Sequence, residues 1–383
     1  MELLAIVKAD AYGHGLPLCA AAAARVGAKW LGVTSAEEGA AARAVCDAAG
    51  FPGTKILVIG GPFPGQGTDL IAHRLTAVVW EPWQLDELES AARAARRAPH
   101  SVPVHLELDT GMSRQGVGLE ELEGILSRFG SETGLRLDGL MTHLYAADES
   151  DGVETRAQME VLERMLGICA QAGVLSANPG LWLHVGNSAA VLAGAVPESL
   201  KRLCERYGLR PMARPGLALY GLAPEFTPGE PEPVAVLRAR LRPVLEWKTR
   251  VVSLRTIAPG QVVGYNGTFV ATGPMRLALL SVGYADGLKR SLSNRGSVLI
   301  RGQRAPIVGR ISMDQTVVDV TEIAGAAAGD EAVLIGRQGS QAITAEDHAA
   351  WAQTIPWEIF TSISARVERR KAGTNSSLAD KLD

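Results

Sequence analysis

Lys8 closes the first apolar run of the chain, Leu3 to Val7, and opens the stretch Lys8-Ala9-Asp10-Ala11-Tyr12-Gly13-His14-Gly15. If that run is a buried strand, the amine at its end is partly desolvated. Desolvation disfavours the charged form, lowers the amine's pKa and makes it a nucleophile suited to imine chemistry. A surface lysine capping a strand satisfies the same position, and position alone leaves both readings open. Tyr265, between Gly264 and Asn266-Gly267, stands in turn-like sequence that favours a phenol at a surface site over a packed core tyrosine. A phenol titrates near ~10, so it acts as a base only beside a cationic or hydrogen-bonding neighbour. There is no His-Glu-x-x-His run, no clustered Cys/His set and no P-loop, so neither a catalytic metal nor a nucleotide is expected.

The elements that must position these groups are legible as apolar runs. Leu3 to Lys8, Lys29 to Thr34, Lys55 to Gly60, Leu75 to Trp80, Pro103 to Asp109, Leu137 to His143, Leu181 to Gly186 and Leu209 to Arg214 read as strands. They are nearly continuous rather than alternating, as parallel strands covered by helices are. Helix-like segments such as Leu16 to Val26 and Pro82 to Arg97 lie between them. About eight β-α repeats in roughly 220 residues point to a (β/α)8 barrel over a doubly wound open sheet, and barrel strands present their C-terminal ends, Lys8 among them, to the active site. Residues 1–223 are read as this barrel. Residues 224–233, with Pro224, Pro228, Pro231 and Pro233, read as a linker. Residues 234–371 read as a mainly β domain, with strands at Val244 to Ile257, Arg276 to Val282, Ser297 to Ile300, Ala305 to Val308, Thr316 to Val320 and Ala332 to Ile335 and a late helix at Ala345 to Gln353; residues 372–383 form a polar tail.

Composition bounds the partners. The chain has 383 residues, 38 Lys+Arg against 41 Asp+Glu, and a formal charge of −3, which gives no reason to expect nucleic acid or an anionic membrane. No apolar run approaches the ~20 residues that span a bilayer. The four cysteines, Cys19, Cys46, Cys169 and Cys204, form no close pair and read as small buried hydrophobes in a reducing cytosol. No small-residue cleavage site follows an apolar core at the start, so no signal peptide is expected.

Lys8 through Gly15 resembles the cofactor-lysine signature of the alanine racemases, pyridoxal-phosphate enzymes with a barrel and a β domain. Asp109-Thr110-Gly111-Met112-Ser113-Arg114, Met141-Thr142-His143, His184-Val185-Gly186-Asn187-Ser188-Ala189-Ala190, Arg214-Pro215-Gly216, Leu219-Tyr220-Gly221, Gly264-Tyr265-Asn266-Gly267-Thr268, Gly283-Tyr284-Ala285-Asp286-Gly287 and Gly309-Arg310-Ile311-Ser312-Met313-Asp314-Gln315 follow in the family's order. The resemblance covers nearly the whole chain. It implies that Lys8 holds pyridoxal 5'-phosphate as an aldimine and serves as one proton-transfer base, with Tyr265 as the other on the opposite face of the substrate. Arg214 would face the pyridine nitrogen and leave it unprotonated, because a guanidinium only donates. His143 would orient Arg214 and His184 would pack behind the ring. Asn187 and Ser188 at a helix start, the amides of Gly216 and Leu217, the hydroxyl of Tyr12 and Trp357 would hold the phosphate. Arg114 and the amide of Met313 would take the substrate carboxylate, with Tyr284 and Asp314 lining the entrance. The implied activity is interconversion of L- and D-alanine in the cytoplasm, supplying bacterial cell-wall synthesis, by a homodimer in which Tyr265, Tyr284 and Met313 complete the partner's site.

Three departures from the family pattern bear on this. Glu107 stands where many members carry a carbamylated lysine that orients the arginine; it is expected to hold Arg114 directly or through water. Trp357 replaces a tyrosine, and indole donates one hydrogen bond and accepts none. Members also carry a segment before the first barrel strand, part of which adds a strand to the β domain; this chain starts almost on the barrel strand, so either the start is misplaced or the second domain has an open sheet edge, and lower stability is expected of the sequence as given. The rival readings are a racemase of broader specificity on the same scaffold and a cofactor-binding protein without turnover. Retention of Tyr265 argues against the latter, since a mere binder has no use for a second base.

Overall fold

The computed structural model describes residues 1–130 and 133–372; all but the first residue of the polar tail lie outside them. The chain divides into two units, Met1–Ala11 with Leu16–Arg242, and Tyr12–Gly15 with the chain from Pro243 onward.

In the first unit eight parallel strands close into a barrel: β1 (Glu2–Ile6), β2 (Trp30–Val33), β3 (Lys55–Val58), β4 (Thr76–Val79), β5 (Val102–Glu107), β6 (Leu135–Met141), β7 (Trp182–His184) and β8 (Arg210–Ala213). Closure is made by β1 pairing with β8, Glu2 opposite Met212 and Leu3 opposite Ala213. Strands β2 and β4 are buried along their whole length, which is why their sequences show no alternation. Leu4, Leu31, Ile56, Leu57, Val58, Val104 and Leu106 are inaccessible to solvent, and burying a side chain of that size contributes about 1.5–3 kcal/mol. The helices start where the sequence offers a cap: Ser35 accepts the Glu38 amide ahead of Ala36–Ala48, and Glu81 and Gln84 form a capping box with Pro82 in the first turn of Pro82–Ala94. All eight strands fall where the apolar runs lie. The proline-rich stretch ends in a helix, Glu232–Arg238, which belongs with the barrel. Proline at a first helical turn is compatible with helix, so a proline cluster does not by itself mark coil.

The second unit contains a seven-stranded sheet in which Gln303–Pro306, Ser297–Ile300, Glu331–Gln338, Trp247–Ile257, Met275–Leu280 and Thr316–Asp319 follow in that order, with Gln341–Ile343 paired to Glu331–Gln338. The end strands are joined by an Ile307–Val318 bridge, so the open edge expected from the sequence is in part closed by the sheet itself. Two short strands, Val262–Val263 and Phe269–Val270, flank the Tyr265 turn, and a helix, Pro356–Ser362, follows Ala345–Ala352. Cys46, Cys169 and Cys204 are buried, but Cys19 is only partly so. Among the described residues, no helix is long and apolar enough to cross a membrane, and no group of three or more His, Cys, Asp or Glu could hold a metal.

Tyr12–Gly15 is fastened within the second unit. Arg369 donates from Nε and Nη2 to the Gly13 carbonyl, at 3.0 and 2.8 Å. Gly13 has φ +76°, and a Cβ there would lie 2.0 Å from the Phe360 carbonyl oxygen. Gly13→Ala should therefore cost more than about 2 kcal/mol in urea unfolding; an unchanged midpoint would contradict this packing.

Candidate active site

Lys8 stands just past β1, half-buried. Burial lowers the pKa of its amine, the charge of Arg114 lowers it further, Glu38 raises it, and Arg214 adds a smaller lowering. The backbone that follows is unusual: Ala9, Asp10, Ala11 and Tyr12 all take left-handed φ values, between 52° and 56°. Such a conformation costs an L-residue roughly 1–2 kcal/mol, so it must be held. Glu38 accepts from the amides of Ala9 (2.7 Å) and Thr34 (2.8 Å), and Asp10 accepts from the amide of Leu16 (2.7 Å). Glu38 and Asp10 were not singled out from the sequence; the signal for Glu38 was the Ser35-x-x-Glu38 capping pattern.

Arg214, after β8, is buried at 4% exposure. Its Nη2 donates to the Thr142 carbonyl at 2.8 Å and lies 3.2 Å from His143 Nδ1; its Nη1 donates to the His184 carbonyl at 2.5 Å and lies 3.2 Å from His184 Nδ1. Burial lowers its pKa to about 10, against the opposing charge of Glu107, so it remains a cation at neutral pH. Burial pushes His143 down to about 3, helped by the charges of Arg214, Arg114 and Lys8. His184 is held well below the ordinary range by burial, His105 and Arg214. Both imidazoles are neutral acceptors toward the guanidinium.

Glu107, at the end of β5, is 2% exposed, and burial pushes its carboxyl up against the hydrogen bond of Gln115 and the charges of Arg214 and Arg114. The direct grip on Arg114 expected from the sequence is absent among the described residues. Gln115 Nε2 donates to Glu107 at 2.5 Å, while Arg114 is exposed. The loop carrying Arg114 is shaped by Asp109, which accepts from the amides of Gly111, Met112 and Ser113. Gln158, also missed because it reads as an ordinary helix residue, donates to Thr110 Oγ1 and the His143 carbonyl.

Asn187, not Ser188, caps the helix Ser188–Ala193, accepting the Ala190 amide at 3.0 Å. Ser188 Oγ accepts instead from the amides of Gly216 (2.9 Å) and Ala218 (3.2 Å), tying the helix start after β7 to the short turn Leu217–Tyr220 after β8. Lys8, Arg114, His143, His184, Asn187, Ser188, Arg214, Gly216 and Leu217 thus all lie on the segments that follow barrel strands or at strand C-terminal ends.

The remaining residues belong to the second unit. Tyr12 ends the left-handed turn, and burial pushes its phenol up to about 12. Tyr265 occupies the turn Tyr265–Gly267 with 69% exposure. The Tyr284 and Met313 loops are joined, the Tyr284 amide bonding to the Ser312 carbonyl and the Ala285 amide to the Met313 carbonyl; both side chains are exposed. Arg366 bridges Asp314 (3.0 Å) and Asp286 (3.1 Å). Trp357 is half-buried in Pro356–Ser362.

A closed barrel with these groups at its strand ends, followed by a β-rich unit, is the architecture of barrel-type racemases, a class of isomerases. The alanine racemase N-terminal domain matches residues 1–224 and the C-terminal domain residues 244–371. An alanine racemase of Sorangium cellulosum is 40% identical over 375 residues, covering 96% of this chain and 91% of its own. The solved structure of alanine racemase from Streptomyces coelicolor superposes with a TM-score of 0.83 at 34% identity, covering 96% of this chain and 90% of its own. That of Bartonella henselae, with covalently bound pyridoxal phosphate, gives 0.75 at 27% identity, covering 95% and 91%. The chain belongs to the alanine racemase family, and it is a racemase.

The three neutral histidines set an acid limit. Histidine in an unfolded chain titrates near ~6.5. His105 and His143 are held at about 3, and His184 well below its ordinary range. Their contribution is intact above the unfolded value and is lost as the pH falls below it, because the unfolded chain then binds protons the folded chain refuses. Urea unfolding at pH 7 and pH 5 should show a loss of about 2 kcal/mol for each histidine that stays neutral. Equal stability at both pH values would contradict the assignment.

Proposed function

We propose that the chain interconverts L- and D-alanine with pyridoxal 5'-phosphate, using Lys8 and Tyr265 as bases on opposite faces of the substrate α-carbon. The observation that supports this most strongly is the pairing of a half-buried lysine amine of lowered pKa with a buried Arg214 that has no ion-pair partner among the described residues. The donor set fits the cofactor: an amine for the carbonyl carbon, a permanent cation for the ring nitrogen, and the Ser188 hydroxyl and Leu217 amide for the phosphate, the Gly216 amide being already bonded to Ser188 Oγ, with Trp357 offering an indole N–H. When bound, the cofactor supplies an electron-accepting ring that stabilises charge at the substrate α-carbon.

The chain's residues do the rest. Lys8, lowered by burial and two arginine charges, accepts the α-proton on one face as a neutral amine. Tyr265 returns or removes a proton on the other. Arg214 keeps the ring nitrogen unprotonated because it can only donate, which restrains side reactions and favours return of the proton. Arg114 offers a fork to the substrate carboxylate; the Met313 amide is proposed as a further donor to it, and Tyr284 and Asp314 as the lining of the entrance. Exposed Tyr265, Tyr284 and Met313 support a homodimer in which each copy completes the other's site. Glu107 supplies the negative group near Arg214 and Arg114 without carbon dioxide. The free cysteines fit a reducing cytosol.

Proton NMR of L-alanine in deuterated water tests the reading. With protein and cofactor, the α-proton signal should disappear while a chiral assay shows D-alanine accumulating. Tyr265→Phe should slow both by about 10²–10⁴-fold, and Lys8→Ala should abolish both. Cofactor binding without exchange would overturn the proposal. Added bicarbonate should leave the rate unchanged; a sharp rise would refute the role given to Glu107.

A further inference from the structure

His105 is a buried titratable group that the proposed reaction does not use. It sits in β5, fully inaccessible, at an irregularity in the sheet: Val104 pairs with Leu137 but His105 pairs with Gly139, so β6 has one residue too many, Asp138, at this point. Such bulges re-aim side chains beside functional sites. The His105 ring is held on its face by the strand backbone. A Cβ on Gly139 would lie 2.7 Å from His105 Nδ1, 2.8 Å from Cε1 and 2.9 Å from Cγ. Trp30 packs against it at 5.3 Å between ring centroids.

His105 Nδ1 lies 2.8 Å from His184 Nε2, and His184 Nδ1 lies 3.2 Å from Arg214 Nη1. The direction of this chain of bonds is fixed from one end. A guanidinium has no acceptor, so His184 Nδ1 must present its lone pair to Arg214. A neutral imidazole carries one proton, which is then on Nε2 and is donated to His105 Nδ1. His105 is neutral too, so its own proton is on Nε2. Among the described residues His105 Nε2 has no hydrogen-bond partner; burial lowers this ring's pKa, the charge of Asp138 raises it, and the charges of Lys55 and Arg214 lower it. The opposite tautomer would set an N–H of His184 against the N–H groups of a buried cation.

We propose that His105 is a positioning residue for the racemase: it locks His184 in the Nε2–H tautomer, so that His184 Nδ1 holds the Arg214 guanidinium in the orientation the cofactor ring requires. The partner of one ring nitrogen sets the state of the other, and loss of such a supporting bond behind a functional group commonly lowers activity by 10–100-fold. The proposal rests on Arg214 facing the cofactor.

The test uses the full chain with 15N-labelled histidine, with and without pyridoxal phosphate. Two-bond proton–nitrogen spectra report the tautomer of each of its seven histidines, assigned by single substitutions. Wild type should show His105 and His184 both neutral and protonated on Nε2. His105→Leu should free the His184 tautomer and lower kcat on the order of tenfold with KM little changed. His105→Gln, whose side-chain carbonyl can accept the same proton, should restore both readouts. A wild-type His184 protonated on Nδ1, or cationic, overturns the proposal even if no variant folds. So does a His105→Leu enzyme with an unfixed tautomer and unchanged kcat. Correct tautomers in a protein that exchanges no α-proton would instead count against the racemase mechanism, so the two failures are distinguishable.

Discussion

The costliest group in the barrel is the guanidinium of Arg214. It is buried, and among the described residues no carboxylate pairs with it directly; carbonyls of Thr142 and His184 and the lone pairs of two neutral histidines take its protons. A buried cation is tolerable only when its hydrogen bonds are met. Meeting them fixes much else. The C-terminal ends of β6 and β7 must sit where their carbonyls reach it, His143 and His184 must stay neutral, and the one nearby negative group, Glu107, acts on it only through space. The arrangement delivers a cation that cannot give up its proton to the end of the barrel where Lys8 stands.

The second constraint is the backbone beyond Lys8. Four consecutive non-glycine residues in the left-handed region would not persist without support, and strain of this kind gathers where function requires it. Glu38 supplies the support and also influences the lysine directly: the same carboxylate that takes the Ala9 and Thr34 amides raises the pKa that burial and Arg114 lower. Position and reactivity of Lys8 are thereby set by one helix start.

The barrel was legible because strands buried on both faces are written as unbroken apolar runs, here spaced by helix-like segments. The pairs Val262–Val263 and Phe269–Val270 were invisible because two residues carry no period. Pro356–Ser362 and Glu232–Arg238 were hidden by the prolines that open them. Motif resemblance picked out Lys8, Arg214 and the histidines as candidates. It could not show that Glu107 is taken by Gln115, that Ser188 serves two backbone amides rather than capping its helix, or that the end strands of the second sheet meet. Those depend on which of several possible partners lies nearer, which spacing along a chain does not encode. His105 was readable as an oddity, a histidine inside an apolar strand, but its role depends on a bulge that only pairing reveals.

The proposed chemistry depends on Arg214 remaining the sole proton holder between itself and the cofactor ring. Nitrogen NMR of the holoenzyme loaded with pyridoxal phosphate carrying 15N in the ring reads this directly. An unprotonated ring nitrogen across the working pH range is the expected result; a protonated one would mean that the buried guanidinium does not face it and would contradict the role proposed for Arg214.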